Sequence, residues 1–568
     1  MDRMLRVNMT TLSTTEEPYP NEWIALGGRA LSAKILLEEV DPKCDPLGPD
    51  NKLIFAPGCL SGSMAPTSGR MSVGAKSPLT HGIKEANAGG QPAQKLMRLG
   101  YRAVIVEGQP KDPAKRYKLT INKAGVKIEE CPELKGLRTY ATAGKLAEIS
   151  GKRAAFILCG PAGEARLTGA SVALTDEDHR YPTRHAARGG LGAVMGAKGL
   201  KAVVVDDEGS QARVAKDTAG FKELAVSMTK AYKAGPQFFA RGTSAVVPMA
   251  NMMDTLPTRN RREMQFEHAS DIDGARIIES FATRGGGMHN CMTGCVVQCS
   301  NVVHGPDGQY VTSALEFETL ALLGSNCAIG NLDAIAKMDR LCDDLGLDTI
   351  ETGAAMAVAM DGGQLPFGDA EGAIRVIDGI DTGGGELSTA VGNGAVFTGK
   401  KYNVARVPAV KGQGVPAWEP RTLKATGITY VTSPMGADHT AGLIAMPVAD
   451  LARASQDSQI VNAICDSSGF CQFMTPTADE MKRLFNMMYG LDLGDEDIIN
   501  YGWQCLQDEW EFNRRAGFTE ADDKFPDWMS TEAIPTNGAV FDVPTEEIRR
   551  VFTKMPVTPE LMRMHPTG

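Results

Sequence analysis

His289-Asn290-Cys291-Met292-Thr293-Gly294-Cys295-Val296-Val297-Gln298-Cys299 holds three of the chain's twelve cysteines, each separated from the next by three residues. At helical pitch, residues four apart share a face, so the spacing predicts a helix presenting Cys291, Cys295 and Cys299 to one point. Three thiolates converging on a point suit zinc or an iron–sulfur cluster. The competing reading is three small apolar side chains on the buried face of a helix. A candidate fourth ligand far downstream weighs against it.

That candidate is Cys471, at the end of Asp466-Ser467-Ser468-Gly469-Phe470-Cys471. A related hexamer, Asp343-Asp344-Leu345-Gly346-Leu347-Asp348, lies between it and the triad. Both read Asp-x-x-Gly-apolar-(Asp or Cys) after a helix-compatible run. One such hexamer is a helix C-terminus with glycine as the left-handed cap. Two with the same inner spacing point to paired sites on a pseudo-symmetric core. A carboxylate just before a loop glycine can accept N–H bonds from a heterocycle. The repeat therefore predicts two similar planar ligands, with the second loop also giving a thiolate to a cluster.

A chain of 568 residues predicts three or four domains. With 43% hydrophobic and 23% charged residues, nothing suggests bulk disorder. Sixty-two glycines against 6% aromatics imply many tight turns and close approaches. A net charge of −10 without a basic block argues against a nucleic-acid partner. No apolar run is long enough to cross a bilayer, and Met1 to Val7 carry no signal-peptide core. Twelve cysteines without a signal read as reduced thiols, and the expected location is the cytoplasm.

Residues 1–206 are strand-rich. Leu53–Ala56, Ala103–Gly108, Ala154–Leu158 and Ala202–Val205 are apolar runs of strand length. Between them lie loops suited to anions: Gly27-Gly28-Arg29, Ser68-Gly69-Arg70, Asn87-Ala88-Gly89-Gly90 and Arg188-Gly189-Gly190-Leu191-Gly192. Glycine lets backbone N–H groups approach a phosphate, and arginine grips its oxygens bidentately. No Gly-x-Gly-x-x-Gly follows a strand and no Walker loop occurs, which disfavours nicotinamide and ordinary nucleotide folds. Phe221–Tyr232, Leu332–Leu345, Thr349–Met360, Glu480–Tyr489 and Thr545–Thr553 carry helical periodicity. Gly379–Gly394 reads as a surface loop, and the Pro-rich C-terminus as surface chain. The expected fold class is α+β: a β-rich domain at 1–206, then mostly helical domains at 207–405 and 406–568.

The Ser68–Gly90 block, Ala187-Arg188-Gly189-Gly190-Leu191-Gly192-Ala193-Val194-Met195-Gly196 and the two hexamers together resemble the tungsten-dependent aldehyde:ferredoxin oxidoreductase family, over nearly the whole chain. The resemblance implies a tungsten bis-pyranopterin, with Mg2+ bridging the pterin phosphates, and a [4Fe–4S] cluster on Cys291, Cys295, Cys299 and Cys471. It implies pterin anchoring by Asp343, Gly346, Leu347, Asp348, Thr349, Asp466, Gly469 and Phe470. Arg70 and Arg188 would meet the phosphates, Asn87 and the Gly189 carbonyl would face the Mg2+, and Arg29, Gly89, Gly90 and Gly190 would share in binding the cofactor. It also implies oxidation of a small aldehyde to the acid with water as oxygen source, and electrons delivered to ferredoxin or a small ferredoxin-like subunit. Glu318, or else Glu316, matches the catalytic carboxylate and His439 the active-site histidine. The first two cysteines are one residue further apart than is usual in the family. The Glu-x-x-His pair of members with an interfacial iron is missing after Glu318, so an oligomer without that iron is expected. Two other readings stand beside this one: the catalytic subunit of a tungsten benzoyl-CoA reductase, and an iron–sulfur electron-transfer scaffold without pterin.

Overall fold

Leu99-Gly100-Tyr101-Arg102-Ala103-Val104-Ile105-Val106-Glu107 and Lys198-Gly199-Leu200-Lys201-Ala202-Val203-Val204-Val205-Asp206 are two versions of one strand, and around them the β-rich part is built twice. The structure, a computed structural model, describes residues 2–564 apart from 152, 178 and 382. The first copy runs β1 (Arg3–Asn8), β2 (Ser13–Pro18), α1 (Gly28–Glu39), β3 (Leu53–Pro57), β4 (Met71–Lys76), β5 (Ile83–Ala88), α2 (Pro92–Arg98) and β6 (Tyr101–Glu107). The second runs β7 (Tyr117–Asn122), β8 (Gly125–Glu130), α3 (Thr139–Ser150), β9 (Ala155–Cys159), a short α4 (Pro161–Glu164), β10 (Val172–Leu174), β11 (Arg184–Ala186), α5 (Leu191–Ala197) and β12 (Leu200–Asp206). Their sheets have the orders β2-β1-β6-β3-β4-β5 and β8-β7-β12-β9-β10-β11, so each strand has its counterpart. In both, the only parallel pair among the described residues joins the first and last strands, and both carry an irregularity there, at Arg102 and at Lys201.

That irregularity turns a cation inward. Arg102 and Lys201 are both fully buried, and each donates to the carbonyl two residues before the next helix, Leu26 or Leu137. The two sheets share one apolar core, with Val7, Phe55 and Val104 from the first and Ile121, Ile157 and Val203 from the second.

The rest of the chain is mostly helical. α6 (Thr218–Ala234) leads into it, and its main helices are Leu332–Leu345, Thr349–Asp361, Leu451–Ser468, Ala478–Tyr489 and Asp495–Ala516. Among the described residues no helix is long and apolar enough to cross a membrane. The α+β class expected from sequence is the class observed.

Three local expectations fail. The cysteine segment is not a helix but a loop between β13 (Gly286–His289) and β14 (Ser300–His304), with β15 (Tyr310–Ser313) completing a small antiparallel sheet. Gly294 and Gln298 hold φ of 77° and 55°, which a helix does not allow. Gly379–Gly394 includes a helix, Gly385–Gly392, because Ala390 and Val391 find buried positions on the core. The C-terminal segment is not surface chain throughout, since Leu561 and Met564 are buried against the helical core.

Candidate active site

Each copy of the β-rich part clamps one hexamer. In the first, the Arg70 N–H donates to the Gly469 carbonyl at 3.1 Å and the Cys471 N–H to the Thr67 carbonyl at 3.0 Å. In the second, the Ser171 N–H donates to the Gly346 carbonyl at 2.8 Å and the Asp348 N–H to the Gly169 carbonyl at 3.0 Å. Gly346 and Gly469 take the left-handed cap at φ 75° and 85° after their helices. Each backs onto a glycine at the end of a strand, Gly160 after β9 and Gly58 after β3; a Cβ on Gly58 would lie 2.1 Å from Gly469. These contacts require glycine, and they fix both loops with the same outlook.

The cysteines converge without a helix. Cys291, Cys295 and Cys471 are buried together with Met292 and Val297, and Cys299 packs against them. The Thr67 carbonyl and hydroxyl tie the Cys471 loop to the cysteine loop, since Thr67 also accepts from the Val296 N–H and donates its own N–H to the Gly294 carbonyl. Burial pushes the Cys299 and Cys471 thiols up, so their thiolates want a compensating positive charge. Among the described residues no three His, Cys, Asp or Glu side chains are close enough to share a single metal ion. The four sulfurs are nonetheless gathered in one buried cluster, as ligands of an iron–sulfur group must be.

A cavity of about 960 Å³ opens beside them. Arg70, Asn87, Asp466 and Cys471 line it from the clamp, and Glu316, Phe317, Glu318, Trp418 and His439 from the helical part. Phe239 and Phe473 stack face to face in its lining, with centroids 3.9 Å apart, and Phe238 beside them is 80% exposed. Glu318 accepts from the Ala417 N–H through Oε2, leaving Oε1 without a hydrogen bond, 3.7 Å from His439 Nδ1. Nδ1 is equally unpartnered. Glu316 is engaged by the Thr243 hydroxyl, and burial raises its carboxyl.

The arginines behave differently from the sequence expectation. Arg70 keeps one edge for the cavity, donating to the Asn87 side chain and, at 3.2 Å, to its carbonyl. Arg29 offers no free fork: Nε and Nη2 lie on Glu509 at 2.8 Å each, and Nη1 on Asp466 at 3.4 Å. It reaches the site through Asp466 instead of an anion. Arg188 is likewise committed, to Asp348, Glu351 and the carbonyls of Ala437 and Gly414. It thereby ties the first hexamer to the strand of chain before His439. Gly189 (φ 83°) leaves room for the Lys84 stem, 2.4 Å from where its Cβ would be, and its carbonyl accepts from Ser77. Gly190 is left-handed, and Gly89 backs onto Cys291 Sγ. Leu347 bridges to Ala170, Asp348 caps the following helix, Thr349 meets Thr319, and Phe470 is fully buried.

Several residues of the site went unread. Lys84 pairs with Asp438 at 2.7 Å in a fully buried ion pair next to His439. Burial opposes charge on Asp438, but Lys84 and Arg188 outweigh it and hold the carboxyl far below its usual range. Glu85, beside Asn87, is pushed up to about 8 by burial and by Asp466, and Asp466 itself to about 6 by burial. His185 is the fourth, and its signal was the duplication: β5 and β11 place it at the position of Asn87. An unpartnered buried Asp343 Oδ2, glycine-lined loops and a four-sulfur set all fit flat, N–H-bearing ligands beside a cluster.

Comparison with known proteins agrees with this geometry. The family description for the N-terminal domain of aldehyde ferredoxin oxidoreductase matches residues 4–207, and that for domains 2 and 3 matches residues 223–555. The tungsten-containing aldehyde ferredoxin oxidoreductases of Thermococcus kodakarensis and Pyrococcus furiosus are each 32% identical, with 94% of this chain and 92% of the relative covered. The WOR-like subunit of an aliphatic sulfonate oxidoreductase from Pyrococcus furiosus is 26% identical, covering 84% of this chain and 79% of its own. Among solved structures, the active-site complex BamBC of benzoyl coenzyme A reductase with 1,5-dienoyl-CoA shares the fold at TM-score 0.78 and 20% identity, covering 97% of this chain and 92% of that one. The doubled clamp, the two hexamers and the four gathered cysteines are thus those of a chain that belongs to the aldehyde ferredoxin oxidoreductase family.

Proposed function

We propose that this chain oxidises an uncharged, apolar aldehyde to its carboxylic acid, with water as the oxygen source. Two electrons then leave singly to ferredoxin or a small ferredoxin-like subunit in the cytoplasm. The observation that carries this reading is the unpartnered Glu318–His439 pair in a cavity that Arg70, Asn87, Asp466 and Cys471 also line. The two hexamers would hold a tungsten bis-pyranopterin with its Mg2+, which would supply a two-electron acceptor. Cys291, Cys295, Cys299 and Cys471 would hold a [4Fe–4S] cluster next to the second hexamer.

The chain's own residues then have distinct tasks. Glu318 is fixed by the Ala417 N–H through one oxygen and uses the other to take a proton as water adds to the carbonyl carbon. His439 is within reach of that oxygen and can hold the carbonyl oxygen or pass the proton on. Phe317 and Trp418, their rings 4.9 Å apart, form an apolar wall next to Glu318, and the Phe239–Phe473 stack adds a second apolar surface beside the cysteines.

The cavity chemistry favours an aldehyde over a coenzyme A thioester. Arg70 is the one Lys or Arg among the described lining residues, while Glu316, Glu318, Asp466 and Glu480 carry carboxyl groups. A nucleotide's phosphates would meet these carboxyl groups with a single arginine as counter-charge. The test is metal analysis followed by an aldehyde panel with viologen as acceptor. Tungsten near one per chain and turnover of aryl or alkyl aldehydes are expected. Iron without tungsten would favour a pterin-free scaffold, and reduction of an aryl thioester would favour the benzoyl-CoA reading.

A further inference from the structure

The two halves of the clamp share a backbone but not an anchor. In the first, Arg70 and Asn87 pair side chain to side chain, and the anchoring Asp466 receives a guanidinium contact from Arg29. The residues in the same places of the second half are Ser171 and His185, and they pair as well: Ser171 Oγ lies 2.7 Å from His185 Nδ1. His185 Nε2 sits 3.0 Å from the Pro182 carbonyl oxygen and 3.1 Å from Asp343 Oδ1. A carbonyl can only accept, so Nε2 carries a proton, while the Ser171 hydroxyl, able to donate or accept, satisfies Nδ1. The Nε2–H is thus donated to the Pro182 carbonyl, and the same edge of the ring lies against one oxygen of Asp343. The other oxygen, Oδ2, is buried and has no hydrogen-bond partner. A buried carboxylate oxygen left bare costs free energy unless something donates to it.

We propose that His185 is a positioning residue of the first-hexamer site, holding Asp343 Oδ1 so that Oδ2 faces the N–H groups of a bound pterin. The two half-sites are then unlike in kind, one braced by an imidazole and the other by an arginine. This rests on the pterin reading of the hexamers.

The experiment uses the enzyme as purified with its cofactor. Pterin, measured as its fluorescent oxidation product, and tungsten are counted per chain after gel filtration, and the tungsten EPR signal is recorded. H185A and H185F, which lack the N–H, should lose pterin and tungsten together by about three- to tenfold. H185Q, whose amide N–H reaches to the place of Nε2, should retain wild-type content and signal. Wild-type retention in H185F, or loss in H185Q equal to that in H185A, would overturn the role, because ring volume and not the N–H would then matter. H185Q and H185F decide the question even where H185A fails to fold. A wild-type protein that carries no pterin overturns both this inference and the reading beneath it.

Discussion

Glu318 Oε1 and His439 Nδ1 face each other at 3.7 Å, and neither has a hydrogen-bond partner of its own. The pair is brought together by two restraints, the Ala417 N–H on Glu318 and the buried Lys84–Asp438 pair next to His439. If Glu318 is the base, Glu318→Gln should lower kcat by about 10² to 10⁴ while KM moves little. Glu316→Gln should cost less than about tenfold, because Glu316 is already engaged by Thr243. Steady-state kinetics with viologen separates the two, and a larger loss in Glu316→Gln would exchange their roles.

The second measurement is spectroscopic. Cys471 packs against Cys291 and Cys295 although it comes from another domain-sized stretch of chain. Cys471→Ala should abolish the four-iron signal or leave a three-iron form. An unchanged four-iron spectrum would remove Cys471 from the ligand set.

Asp343→Ala and Asp466→Ala should each lower tungsten and pterin content together, since the two loops are clamped by matching backbone hydrogen bonds. Elemental and pterin analysis of both variants is the check. Dependence on one aspartate alone would break the argument from the paired hexamers.

Lys84→Met leaves Asp438 charged in a fully buried position, with Arg188 as its remaining neighbour of opposite charge beyond His439. Removing one partner of a buried ion pair costs about 3–5 kcal/mol. The melting temperature of the variant should fall clearly, and the Asp438→Asn, Lys84→Met double change should recover part of the loss. A melt identical to wild type would mean that water already reaches the pair.

Glu85 is held up to about 8 by burial and Asp466, so the folded chain keeps a proton there that the unfolded chain has already lost. Stability from this group is present at low pH and falls as pH rises from the ordinary carboxyl range towards about 8. Without cofactor, the melting temperature of the wild type should therefore drop more steeply between about pH 5 and about pH 8 than that of Glu85→Gln. Parallel curves would place the proton elsewhere.

Much of the framework was legible because it depends on local pattern. Leu332–Leu345 is a helix over the bounds its periodicity gave, and the strands around Phe55 and Val104 lie where apolar runs placed them. The hexamers were legible because a left-handed cap demands glycine at a fixed place. The cysteine segment misled because spacing of four residues marks a helical face only where the backbone is helical, and Gly294 and Gln298 take it out of that region. Arg29 and Arg188 were read only in part: a guanidinium flanked by glycine reads as an anion grip, while Glu509 and Glu351, their partners within the chain, lie far away in sequence. His185 and Lys84 acquire meaning only through partners on other elements.

The clamp also orders events during synthesis. Residues 58–70 receive the loop at 466–471, and residues 160–171 receive the loop at 343–348, so the two closures are nested like inner and outer brackets. The inner one can form once the ribosome has passed the helix Thr349–Asp361, while the outer one waits for more than a hundred further residues. Through that interval the first clamp stands open beside a finished second one. A large prosthetic group would have its way in from that side, and the arrival of Ser467 and Ser468 on the Cys59 and Leu60 N–H groups would shut the door behind it.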